Sequence, residues 1–281
     1  MTLSHMGTRT YRKSDMPIVL LNGLNFYYRV DGEGPRTFLL LNGAGLTTES
    51  WQELAAGLVK LGRVVRFDAR NCGQTEAAHG PFTMENMAED ALALMDHLKI
   101  GQAIVIGHAF GGRIAQIFTR DHADRVRALI LCGTGGLYPP LIQDLDAKAA
   151  DQSIDREARI EIFFARWFGS QFRQKHPERA ERVLRETFGG GQGQATGTAR
   201  RGLPQITPVE SYWGRVPPSI PVLLIYGTED KYGHAANRDD LHRRLKGSKL
   251  VTIEGAGHLA IQEEPEQIAA EIAEFVEEKR L

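Results

Sequence analysis

The side chains most able to do chemistry in this chain sit in short glycine-punctuated stretches. Ile104-Val105-Ile106 enters Gly107-His108-Ala109-Phe110-Gly111-Gly112 and continues as Arg113-Ile114-Ala115-Gln116-Ile117-Phe118, which predicts a buried strand, a sharp turn and a helix. A turn of this kind is a nucleophile elbow, and its glycines let a strand swing into a helix without side-chain collisions. The residue at its tip is Ala109, which has no nucleophilic atom, so covalent catalysis from this position is excluded. The other reactive types are His258, in Gly255-Ala256-Gly257-His258, and the adjacent carboxylates Glu229 and Asp230, in Gly227-Thr228-Glu229-Asp230-Lys231. A neutral imidazole takes a proton near pH 7, and a carboxylate on its second nitrogen selects the tautomer and stabilises the cation that forms.

Composition bounds what these groups can serve. The chain has 281 residues, 42% of them hydrophobic, enough to bury one core with an insertion or two small domains. A formal net charge of -1 provides no basic face for nucleic acid and no polybasic patch for a membrane surface. No apolar run approaches the roughly 20 residues of a membrane span, and the N-terminus lacks the apolar core of a secretory signal, so the expected location is cytoplasmic. Cys72 and Cys132 show no metal-type spacing and fit a reducing compartment, with Cys132 read as core. His79, His122, His176, His234 and His242 have no paired ligand spacing, and neither a metal nor a cofactor is expected.

The elements that must position these groups follow from periodicity. Residues 1–15 are polar and aperiodic, with Ser4-His5-Met6 read as a vector-derived remnant ahead of a start near Met16. Ile18 to Leu21 and Leu24 to Val30 are β-rich runs joined by Asn22-Gly23, a strong hairpin signal. Strands are then expected at Thr37 to Leu41, Val64 to Phe67, the run before Gly107, and Val126 to Cys132, the first of these ending in Asn42-Gly43-Ala44-Gly45. Between them the pattern predicts a helix from Trp51 to Lys60, opened by a Ser50/Glu53 capping box, and a long helix capped by Thr83. This alternation argues for a parallel sheet with helices on both faces.

The alternation stops near Leu137 and resumes at Pro221. Helical stretches at Ile154 to Phe168 and Pro177 to Phe188, then the glycine run 189–194, read as an inserted helical cap with a candidate hinge. Phe163, Phe164, Trp167 and Phe168 are too closely spaced for one buried stripe, which makes Phe163 and Trp167 candidates for a pocket wall and equally for cap packing. Strands at Val222 to Tyr226 and Leu250 to Ile253 and helices at Arg238 to Leu245 and Pro265 to Lys279 complete the chain. The expected organisation is a tail over 1–15, core over 16–136, cap over 137–212 and core again over 213–281.

From Pro17 to the C-terminus the chain resembles the α/β-hydrolase superfamily, in its esterase, lactonase and aminoacrylate-hydrolase-like branches. The resemblance implies a mostly parallel eight-stranded sheet flanked by helices, and the chain order nucleophile, acid, histidine. It places Asp230 as the acid, ahead of the competing Glu229, and His258 as the base. It also implies an oxyanion hole made by the backbone N–H groups of Phe110 and Ala44. Asn42-Gly43 stands where relatives commonly have His-Gly, and both are taken as substrate-side residues. Asp68 and Arg70 resemble a structural loop pair of the family, and His108 is read as support for the turn.

The departure is Ala109, where relatives carry Ser or Asp. Three explanations fit: an engineered Ser-to-Ala change in an esterase-like enzyme; a natural alanine, with His258 activating water for direct attack; or a binding protein on a hydrolase scaffold. A cofactor-free oxygenase that uses the His/Asp pair as its base is a related option. The expected substrate is a small carbonyl-containing molecule, and oligomeric state is left open.

Overall fold

The computed structural model describes residues 17–136, 153–188 and 204–281. β1 (Ile18–Leu21) and β2 (Leu24–Asp31) pair antiparallel, Leu21 against Leu24. Asn22 and Gly23 both take positive φ, 48° and 79°, as the tight two-residue hairpin requires. β2 runs antiparallel to β4 (Arg63–Phe67), after which every pairing is parallel, through β3 (Thr37–Leu41), β5 (Ala103–His108), β6 (Val126–Cys132), β7 (Val222–Gly227) and β8 (Lys249–Ile253). The eight-stranded order is β1-β2-β4-β3-β5-β6-β7-β8. The strand order therefore reverses between β3 and β5, and open parallel sheets bind ligands outside the carboxyl ends of strands at such a point.

Alternate side chains of the central strands go to opposite faces. Leu39, Leu41, Val105, Leu129, Leu131 and Leu224 pack with α2 (Met84–His97) and α3 (Phe110–Asp121). Phe38, Leu40, Ile104, Ile106, Ile130 and Leu223 pack with α1 (Gln52–Leu58) and the C-terminal helix over Pro265–Glu278. Burial on both faces is why these strands read as continuous apolar runs. Cys132 belongs to this core, and burial pushes its thiol up to about 12.

Thr83 caps α2 as expected, its Oγ1 accepting the Asn86 N–H at 3.2 Å while Asn86 Oδ1 accepts the Thr83 N–H at 2.9 Å. The Ser50/Glu53 box does not form. A 3-10 turn over Thr48–Trp51 precedes α1, which starts at Gln52 with no side-chain cap. Asp68 Oδ1 takes the Thr48 N–H at 2.7 Å, and Glu53 turns to Arg182 at 2.7 Å and Arg179 at 3.3 Å. Tertiary ion pairs thus outcompete the local cap.

Among the described residues between β6 and β7 are the helices α4 (Arg156–Trp167), α5 (Phe172–Lys175) and α6 (Pro177–Phe188). They share a third apolar cluster of Ile160, Phe164, Phe168, Phe172, Ala180 and Leu259. The glycine run 189–194 and much of the expected 137–212 segment fall outside the described residues. α7 (Ala235–Arg244) starts three residues before the expected Arg238, because His234 Nδ1 accepts the Ala236 N–H at 3.2 Å. α8 (Ala260–Glu263) and α9 (Pro265–Glu278) close the chain. Among the described residues no helix is long and apolar enough to cross a membrane.

Candidate active site

β5 turns into α3 within one residue. Ala109 holds φ 48° and ψ -112°, and its N–H donates to the Cys132 carbonyl at 2.9 Å while its carbonyl accepts the Gly112 N–H at 3.1 Å. The turn is possible only because of its glycines. A Cβ on Gly107 would lie 2.6 Å from the Gly111 carbonyl oxygen, and one on Gly111 would lie 2.2 Å from that of Leu41. Phe110 is the first residue of α3, so its N–H has no intrahelical acceptor, and Ala44 follows β3 on the neighbouring strand. Ala44, Ala109 and Phe110 all line one cavity of about 780 Å³.

His258 lines the same cavity and is 5% exposed. Its Nδ1 meets Asp230 Oδ1 at 2.9 Å. That oxygen also accepts the N–H groups of Tyr232 and Gly233, each at 2.8 Å, so the carboxylate is aimed by its own loop. Glu229, the competing carboxylate, points elsewhere and accepts the N–H and Oγ–H of Ser170 at 2.7 and 3.0 Å. With Asp230 an acceptor at Nδ1, neutral His258 carries its proton there and keeps a lone pair on Nε2.

His108 lies beneath this pair, its ring 5.0 Å from that of His258 and its Nε2 2.9 Å from the His258 carbonyl oxygen. Burial, with His258 adding to it, pushes this imidazole down to about 3, so it is neutral and donates from Nε2. It ties the end of β5 to the His258 loop.

Gly43, Phe163 and Trp167 line the cavity. The Trp167 indole stacks on Tyr232 at 4.6 Å and lies 5.6 Å from the His258 ring, whereas Phe164 and Phe168 belong to the apolar cluster of the insertion. Asn42 corrects the expectation of a substrate-side amide. It is buried, its Nδ2 donates to the Phe67 carbonyl at 2.8 Å, and its Oδ1 accepts the Trp51 indole N–H. The amide ties β3 to β4 and to the turn before α1, and its side chain is absent from the cavity wall. Asp68 and Arg70 are structural but do not pair with each other: Asp68 accepts the Thr48 and Gln74 N–H groups, and Arg70 grips Asp90 at 2.6 and 2.7 Å.

The sequence reading missed Arg113 and Tyr232, both on the cavity wall. Arg113 follows Ala109 by four residues, hence one helical turn further along the same side of α3, a spacing visible in the sequence. Its Nε donates to the Gly135 carbonyl at 2.7 Å, and among the described residues no carboxylate pairs with it. The rim cations Arg179 and Arg182 pair instead with Glu53. Among the described residues no group of three or more His, Cys, Asp or Glu gathers to hold a metal ion.

The chain belongs to the alpha/beta hydrolase fold family, whose model matches residues 36–265. It is 28% identical over 246 residues to 3-oxoadipate enol-lactonase 2 of Acinetobacter baylyi, covering 85% of this chain and 88% of that protein. It is also 28% identical over 271 residues to a putative 2-succinyl-6-hydroxy-2,4-cyclohexadiene-1-carboxylate synthase of Bacillus subtilis, over 89% and 94% of the two chains. Among solved structures, the enol-lactonase from Burkholderia xenovorans LB400 superposes with a TM-score of 0.76 at 26% identity, over 93% of this chain and all of that one. Fold, family and relatives make the protein a hydrolase of this class.

Proposed function

We propose that the protein hydrolyses a small ester or lactone carrying a carboxylate, with water rather than a side chain as the nucleophile. The observation that carries this reading is the Asp230–His258 pair, 2.9 Å apart, with His258 facing the cavity that Ala109 also lines. His258 Nε2 takes a proton from water as the water oxygen bonds to the substrate carbonyl carbon. The resulting oxyanion is met by the N–H groups of Phe110 and Ala44. Collapse breaks the bond to the leaving oxygen, which receives the proton from His258. Asp230 stabilises the imidazolium between the two transfers. The helices α4 and α6, which contribute Phe163, Trp167, Arg179 and Arg182 to the cavity wall, serve as a cap of this site.

Magnitudes restrict the leaving group. Without a covalent nucleophile, oxyanion stabilisation and binding retain about 10³ to 10⁴ of acceleration over water. That suits an enol ester or enol lactone, whose leaving group departs as a stabilised enolate, and falls short for an amide. Arg113 supports the carboxylate, because its guanidinium shares the cavity wall with Ala109 and His258, has no carboxylate partner among the described residues, and is completed by a charged ligand. The enol-lactonase relatives favour the same substrate type.

A second reading has its own observation. Ala109 keeps φ 48°, a strained conformation for any residue with a Cβ, costing on the order of 1–3 kcal/mol, although its methyl group does no chemistry. That favours an alanine standing in a serine's place. One experiment separates the readings: turnover of a carboxylated enol lactone and of p-nitrophenyl esters by the protein, Ala109→Ser and His258→Ala. Direct water attack requires turnover of the lactone by the starting protein and its loss in His258→Ala. An inert starting protein that Ala109→Ser activates by orders of magnitude establishes the second reading instead.

A further inference from the structure

A carboxylate outside the acid–base pair fastens the helical insertion to the His258 loop. Glu263, the last residue of α8, is 2% exposed. Its Oε1 accepts the N–H of Gly257, the neighbour of His258, at 2.8 Å, and its Oε2 accepts the N–H of Gly169, just past the end of α4, at 2.9 Å. Beside this clamp the Leu259 N–H donates to the Trp167 carbonyl at 2.9 Å. Of the two neighbours of His258, Leu259 is therefore bonded directly, and Gly257 through Glu263, to the segment that carries Trp167. The two backbones are nearly in contact: a Cβ on Gly257 would lie 2.4 Å from the Phe168 carbonyl carbon and 2.6 Å from the Gly169 nitrogen.

Two converging N–H donors need two acceptors. An ionised carboxylate presents only acceptors, whereas a carboxylic acid or a primary amide would aim one hydrogen at a donor. The surroundings do little to neutralise that charge. Glu229 approaches from the loop after β7, and Glu264 is next in the chain, paired with His176 at 2.8 Å. Arg179 of α6 donates to the Glu263 backbone carbonyl at 2.8 Å, and its ion pairs are with Glu53 and Glu266. Lys175 Nζ lies 3.4 Å from where a Gly255 Cβ would be.

We propose that Glu263 is a positioning residue whose ionised carboxylate holds the insertion and the His258 loop in one register, and whose protonation lets them part. Burial pushes its carboxyl up to about 7, with Glu264 and Glu229 adding to the effect against the two amides, so the clamp is formed above neutrality and weakened below it. Trp167, stacked on Tyr232 beside His258, moves with the clamp.

The test is amide hydrogen exchange at Gly169 and Gly257, read by NMR from pH 6 to 8.5 and corrected for intrinsic rates, in the protein and in Glu263→Gln. Protection of both amides is expected to rise by about tenfold or more as the pH passes about 7, while amides of β5 stay constant. In Glu263→Gln both amides should remain at the low-pH level across the range, with β5 reporting that the fold is intact. Flat protection in the unsubstituted protein overturns the proposal, as does the same pH response in Glu263→Gln. If that variant does not fold, the response of the unsubstituted protein still decides. Because the readout needs no turnover, it stands or falls independently of the hydrolytic reading.

Discussion

Asp230 Oδ1 lies 2.9 Å from His258 Nδ1, and the amides of Tyr232 and Gly233 converge on that same oxygen. The acid is thus oriented before any ligand arrives, and the imidazole is presented to the cavity with its free lone pair. Replacing Asp230 by Asn keeps the shape but lets the imidazole adopt the wrong tautomer. Turnover of the carboxylated enol lactone should fall by about 10² in kcat, the lower end of what general-base catalysis contributes, with little change in KM, in steady-state assays.

Arg113 should report the charge of the substrate. In Arg113→Gln, KM for a carboxylated lactone should rise by about 10- to 100-fold, with kcat nearly unchanged. The neutral methyl ester of the same compound should show no such rise. Equal losses for both substrates would remove the carboxylate from the proposed function.

Gly111 is constrained by space. Its Cβ would lie 2.2 Å from the Leu41 carbonyl oxygen and 2.5 Å from that of Asn42, both backbone atoms of a central strand end. Gly111→Ala should lower unfolding stability by about 3 kcal/mol in urea titrations, while an alanine at Gly80, where a Cβ meets nothing within 4 Å, should change it little.

Glu263 also sets a sign for stability against pH. Its carboxyl is raised from 4.5 to about 7 in the fold, so the native state holds a proton that the unfolded chain releases. Its contribution is fully present below about 4.5 and is lost as the pH rises through about 7. Unfolding free energy measured against pH should decline more steeply across that window in the protein than in Glu263→Gln. The charge that fastens the insertion is thus carried at the expense of global stability.

Much of the scaffold was legible because it rests on local rules. Asn22-Gly23 specified a hairpin through backbone conformation, Thr83 specified a helix start, and the apolar runs specified strands covered on both faces. Gly107 and Gly111 marked the turn because no other residue fits between the strand ends. Ser50 and Glu53 satisfied a local rule and failed, since Asp68, Arg179 and Arg182 offered stronger partners from distant segments. Asn42 misled for the same reason: a polar side chain at a strand end looks ligand-facing until Phe67 and Trp51 claim it.

The sequence by itself determined the sheet-and-helix alternation and the turn with Ala109 at its tip, because each depends on residue types within a few positions; His258 and Asp230 were nominated by the resemblance to the α/β-hydrolases. Only the tertiary structure decided that Glu229 faces Ser170 while Asp230 faces His258, that Arg113 lines the cavity, and that Glu263 joins Gly169 to Gly257. Those relationships span up to 94 residues of chain, and they exist because the parallel sheet brings its strand ends to one edge. At that edge, side-chain direction and burial select the partner, and neither is written in local spacing.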